Sequence, residues 1–191
     1  QMMEPAELPP MRPLREERPA WALTGAKGRE RNTNSSIHMG AEELEAFNLK
    51  LQEKLALIEK NEIRYEALHT EEADVTIVAF GTAARVAQTA MQSLRQEGLS
   101  VGLFRPITLW PFPEEQLAQA AKNSKALFVV EMNAGQMLHD VRAAVGTQIP
   151  IKFLGRMGGA VPMPDEVAEK TRTLIEQLRA PENYLWQESK N

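Results

Sequence analysis

After Asp74 the chain repeats one pattern: a short apolar run, then a stretch with apolar residues at three- and four-residue steps. The runs are VTIVAF (Val75–Phe80), Val101–Phe104, ALFVV (Ala126–Val130) and Ile149–Leu154. None alternates between polar and apolar positions, so a strand made of any of them must be covered on both faces. The stretches between them read as helices. One follows Gly81-Thr82 and runs to Gly98, with Val86, Ala90 and Leu94 on its inner face; another starts at Pro113 and reaches Ala121. A third, Gly135 to Val145, places Met137, Leu138 and Val141 on one side, and a last one, Pro164 to Leu178, turns Val167, Leu174 and Ile175 inward. Strands alternating with helices and never joined by a tight hairpin turn define a parallel sheet between two helical layers. The expected fold class is therefore α/β, with a three-layer, doubly wound, mainly parallel sheet over residues 74–180.

The rest of the chain reads differently. Residues 1–40 carry Pro5, Pro9, Pro10, Pro13 and Pro19 among Arg, Glu, Gly and Asn, which fixes an extended connector, and Trp21 and Leu23 are its candidate anchors. Residues 41–70 contain no Pro or Gly, and Leu44, Phe47, Leu51, Leu55, Ile58 and Tyr65 form a stripe. That predicts a long amphipathic helix, packed on its own domain or against a partner helix. Residues 181–191 are left as a tail. The chain begins at Gln1, which suggests a piece of a longer protein.

Composition removes several function classes. Lys and Arg number 22 against 26 Asp and Glu, a net charge of -4 without a basic block, so nucleic acid is not an expected partner. There is no cysteine, which excludes disulfides, thiolate metal sites, cysteine nucleophiles and iron–sulfur clusters held by this chain. No apolar run approaches the roughly 20 residues of a membrane span. A soluble, cytoplasmic protein is expected.

In a sheet of this kind, sites gather at the carboxyl ends of the strands. Those ends hold Gly81-Thr82, Arg105-Pro106, the segment from Glu131 through Asn133 to Gln136, and Gly155-Arg156-Met157-Gly158-Gly159. Gly81 permits a tight strand-to-helix turn and Thr82 is a candidate helix cap; the same geometry would serve as an anion cradle. GTAARV matches neither dinucleotide nor Walker phosphate-loop spacing. Glu131 leaves a buried strand with Asn133 and Gln136 as nearby amides, but no histidine, second carboxylate or metal-ligand set accompanies it, and His38, His69 and His139 stand alone. Arg105 and Arg156 are candidates to meet a carboxylate or phosphate of a ligand or of another domain, or else are surface ion pairs. FRPITLWPFP then crosses the strand ends with Trp110 and Phe112 as large apolar groups, either core plugs or a rigid contact ridge. Pro106 holds Arg105 extended. Gly158 and Gly159 would let the backbone approach a neighbour closely. No catalytic residue and no metal ligand is assigned.

Taken in order, VAFGTAARVAQTA, VGLFRPITLWPFP, LFVVEMNAGQMLHDVRAAV and FLGRMGGAVPMPDEV resemble the C-terminal region of the alpha subunit of 2-oxoacid:ferredoxin oxidoreductases acting on 2-oxoglutarate or branched-chain 2-oxoacids. The resemblance extends to the MMEP start, the WALTG segment and the LQEKLALIEKNEIRYE helix. It implies a transketolase C-terminal-like domain that binds no cofactor itself. It also implies a complex that decarboxylates a 2-oxoacid on thiamine diphosphate held through Mg, passes electrons through iron–sulfur clusters to ferredoxin, and yields an acyl-CoA. The implied partners are an N-terminal thiamine-type domain of the same subunit, beta and gamma or delta subunits, and ferredoxin. Nothing in this chain matches the family's metal-binding aspartate motif. Two other readings stay open: a free-standing anion-binding or regulatory module using Gly81-Thr82 with Arg105 or Arg156, and the equivalent domain of another thiamine-dependent enzyme.

Overall fold

The computed structural model describes residues 7–13 and 17–180; the expected tail and the MMEP start lie outside the described residues. The chain divides into two compact units, Gln1–Leu51 and Gln52–Asn191.

In the first unit, residues 17–40 carry no helix or strand, as a proline-rich connector should. The segment nevertheless folds back on itself. Asn32 Nδ2 donates to the carbonyls of Ala20 (2.7 Å) and Ala22 (3.0 Å), while Trp21 and Leu23 remain exposed. Helix α1 spans Ala41–Asn61, its residues from Gln52 onward belonging to the second unit, with Glu42 and Glu43 in its first turn and Lys60 in its last, each favourably placed for the helix dipole. No residue of α1 is buried; Leu55 and Ile58 are half-buried. The helix is shorter than the expected 41–70. It stops because residues 65–68 are used by a strand.

That strand, β1 (Tyr65–Leu68), opens a five-stranded sheet in the second unit. A 3-10 turn over Thr70–Glu72 follows, then β2 (Val75–Ala79), α2 (Gly81–Gln96), β3 (Val101–Pro106), α3 (Glu114–Ala121), β4 (Ala126–Glu131), α4 (Gln136–Val145), β5 (Ile151–Gly155) and α5 (Pro164–Arg179). The spatial order is β1-β3-β2-β4-β5. Strands β2 to β5 are parallel, and β1 pairs antiparallel with β3, Tyr65 opposite Pro106 and Glu66 opposite Arg105. The expected doubly wound, mainly parallel α/β fold is thus present, with one antiparallel edge strand added.

Every residue of β2 and β4 is buried, which is why their sequences show no alternation. The two faces have separate cores. Val75, Ile77, Phe128 and Val130 meet α2 and α5 through Val86, Leu94, Val167 and Leu174. Val78, Phe104, Leu127 and Val129 meet α3 and α4 through Leu117, Met137 and Val141. The chain therefore changes face between β3 and β4. This reversal, with β2 and β4 side by side, is the point in such sheets where the carboxyl ends open a crevice.

Candidate functional site

Two helix N-termini flank that crevice, and they are built differently. At α2, Gly81 has φ +56°, a conformation that favours glycine, and the cap position is Phe80, in extended backbone with no side-chain cap. Thr82, expected to cap, lies one residue inside the helix and is exposed, so its hydroxyl is past the position from which a capping side chain reaches the following amides.

At α4 the side chains do the capping. The Glu131 carboxylate is fully buried, its Oε2 accepting from Met137 N and its Oε1 from Leu138 N, both at 2.9 Å. Asn133 Oδ1 accepts from Gly135 N (2.7 Å) and Gln136 N (2.9 Å). Two side chains therefore satisfy four consecutive amides that a helix start would otherwise leave without partners. Glu131 is thereby removed from the list of ligand-facing groups: its carboxylate faces the start of its own helix. Gln136 is exposed within the first turn of α4. The β4–α4 loop lies tightly on the end of β5, since a Cβ on Gly155 would stand 2.5 Å from the Asn133 carbonyl oxygen.

Neither loop arginine is free. Arg105 was expected to emerge beyond β3, yet β3 continues through Pro106 because β1 extends the ladder there, and Arg105 Nη1 pairs with Glu66 Oε2 across that ladder at 3.1 Å. Arg156 makes a two-pronged contact with Glu166 in the first turn of α5. Gly158 and Gly159 both take positive φ in an exposed loop.

The FRPITLWPFP segment splits in two. Phe112 is half-buried and packs on the α3/α4 core, and the prolines on either side of it, Pro111 and Pro113, are buried. Trp110 is 54% exposed, with Ile107 and Leu109 beside it in sequence also exposed. Phe112 is a core plug, then, and Trp110 is the surface group. The Trp110–Pro111 bond is cis. Thr108 ties the segment to the residue before β1, its Oγ1 accepting from Arg64 N at 3.0 Å.

The three histidines are as scattered as the sequence suggests. His38 pairs with Glu43 and His69 with Glu72, while His139 is exposed on α4. Among the described residues, no group of three or more His, Asp and Glu is placed to hold a metal ion, and no helix is long and apolar enough to cross a membrane. The described residues therefore offer no donor set for a metal-anchored thiamine diphosphate. Sequence reasoning missed the buried Glu131–Asn133 cap. Both acceptors lie upstream of the N-cap, Gly135, where no capping-box spacing points to them.

Comparison with known proteins gives this architecture its family. Residues 73–167 match the Pyruvate:ferredoxin oxidoreductase core domain II, and the α/β unit belongs to that family. The chain is 41% identical over 174 residues to the ketoisovalerate oxidoreductase subunit VorB of Methanothermobacter thermautotrophicus, covering 90% of this chain and 49% of the relative. It is 38% identical over 101 residues to the 2-oxoglutarate synthase subunit KorA of Methanothermobacter marburgensis, covering 53% of this chain and 27% of that one. A solved structure, the 2-oxoglutarate:ferredoxin oxidoreductase from Magnetococcus marinus with 2-oxoglutarate, coenzyme A and succinyl-CoA bound, superposes with a TM-score of 0.63 at 28% identity. It covers 80% of this chain and 26% of that chain. The resemblance read from the four ordered motifs is therefore correct: this is a region of a 2-oxoacid:ferredoxin oxidoreductase subunit. The chain spans about half the length of the VorB relative it matches. Those relatives are subunits of multi-subunit oxidoreductases.

Proposed function

We propose that this chain is the non-catalytic, C-terminal structural and interface portion of an alpha subunit whose complex oxidatively decarboxylates a 2-oxoacid to an acyl-CoA and passes the electrons to ferredoxin. The observation that carries the reading is the 41% identity to a ketoisovalerate oxidoreductase subunit over nine-tenths of this chain. Residues 74–180 are then its transketolase C-terminal-like domain, and residues 1–40 connect that domain to the thiamine-type part of the subunit. Thiamine diphosphate, Mg, the iron–sulfur clusters and CoA belong to that part and to the beta and gamma or delta subunits, within the cytoplasm. The absence of cysteine and the paired states of Arg105 and Arg156 support this division of labour.

The two acids named among the relatives, ketoisovalerate and 2-oxoglutarate, are the first to assay. Discrimination between them rests on contacts around the reacting centre, outside this chain. The test is CoA-dependent ferredoxin or viologen reduction by the complex purified through this chain. Activity with a 2-oxoacid is expected, and inactivity with all of them would overturn the reading. Reduction by the isolated 191-residue chain would refute its non-catalytic part.

A further inference from the structure

Most exposed large apolar side chains of the α/β domain lie at one end of it; Phe153, within β5, is an exception. Ile107, Leu109 and Trp110 follow β3, Met132 follows β4, and Met157 and Met163 follow β5, all at the carboxyl end of the sheet. Antiparallel β1 brings half-exposed Tyr65 to the same end, opposite Pro106. At the other end, residues 97–100, 122–125 and 146–150 expose no large apolar side chain. Single exposed apolar residues need no explanation; a set gathered on one end does.

The rim around this set is electrically closed. Arg105 is paired with Glu66 and Arg156 with Glu166, and the N-terminus of α4 is already occupied by the Glu131 carboxylate. An anionic small molecule would have to displace those partners. An apolar protein surface would not. The ridge is also held in shape before anything binds. Met132 sits between two capping residues, the Trp110 segment is pinned by Thr108 to Arg64, and Phe112 roots it in the core. A preformed contact loses little entropy on docking.

We propose that this ridge is a docking surface for the remainder of the same subunit, the portion that makes the relatives about twice as long as this chain. The inference rests on the reading given above, and it commits to an apolar protein face as the occupant. It predicts that Trp110 carries much of the contact, since a large exposed aromatic within an apolar set is where interface energy concentrates.

Oxidative footprinting of the intact complex against the isolated chain tests it, because Trp and Met are the side chains that report most readily. Trp110, Met132, Met157 and Met163 should react more slowly in the complex. For Trp110 the expected factor is about ten, from 54% exposure to the few per cent of an interface core. Buried Met91 and Met137 should be slow in both states. Trp110→Ala should weaken association of this portion with the rest of the subunit, supplied as a separate polypeptide, by about 30-fold or more, while the thermal midpoint of the isolated chain stays near that of wild type. Equal reactivity of the ridge in both states would overturn the proposal. So would an isolated chain that forms dimers with the ridge protected, since the occupant would then be a second copy. A protected ridge in a complex inactive with every 2-oxoacid would sink the functional reading and leave the surface standing. An active complex with a reactive ridge would do the opposite.

Discussion

Replacing Glu131 with Gln isolates what the buried cap contributes, because the side chain keeps its shape and loses only its charge and one acceptor. In the native protein both carboxylate oxygens accept amide protons at 2.9 Å, from Met137 and Leu138, with no exposure to solvent. The amide oxygen of Gln can serve one of those donors. Its NH2 must then face the other, leaving a buried N–H unpaired, which costs about 1–3 kcal/mol. Removing a negative charge from a helix N-terminus costs about 0.3–1 kcal/mol more, and up to about 2 where the site is partly buried. The sum is about 1–5 kcal/mol. A domain of this size loses about 3–5 °C of melting temperature per kcal/mol, so Glu131→Gln should melt about 4–25 °C lower. Far-UV circular dichroism gives the midpoint, and hydrogen exchange of the Met137 and Leu138 amides localises the damage to the start of α4. Met132→Gln, on the exposed neighbour, is the control and should leave the midpoint nearly unchanged. A Glu131→Gln midpoint within about 2 °C of wild type would refute the argument that these two bonds anchor α4.

Gly155→Ala should destabilise by about 1–3 kcal/mol, because the new methyl would meet the Asn133 carbonyl oxygen at 2.5 Å and that oxygen belongs to backbone that cannot step aside. Urea unfolding reads this as a lower midpoint at unchanged slope. Leu117→Ala empties a fully buried position in the core between α3, α4 and the sheet; a loss of about 2–5 kcal/mol is expected, and a loss below about 1 kcal/mol would mean that this core is looser than its burial implies.

What the sequence made legible follows from how many residues vote on each element. The strands β2 and β4 are continuous apolar runs, and α2, α4 and α5 carry several inward positions each, so their boundaries agree with expectation to within a residue or two at most ends. Strand β1 was hidden because YEAL is four residues long and contributes one half-buried side chain, Leu68; its pairing with β3 makes it a strand, and pairing leaves no periodicity to read. The same omission misplaced Arg105, whose partner Glu66 lies on the unrecognised strand. Phe112 and Trp110 look alike in FRPITLWPFP. Phe112 faces inward and Trp110 outward, and no residue pattern encodes that in advance.

The capped and uncapped helix starts bear on the alternative that the chain is a free-standing anion-binding module. An anion at the crevice between β2 and β4 would draw on the amides of both α2 and α4. At α4 the four leading amides are already spoken for by Glu131 and Asn133, and the Glu131 carboxylate places a negative charge where the anion would sit. The two arginines that would have offset this charge are held by Glu66 and Glu166, partners at i+10 along the chain for Arg156 and on the neighbouring strand for Arg105. Only the start of α2 remains open, and a single helix start without a supporting cation is a weak anion site. The same side chains that disfavour an anion stiffen the loops that carry Met132 and Met157, so the charges of this sheet end are consumed in presenting an apolar surface.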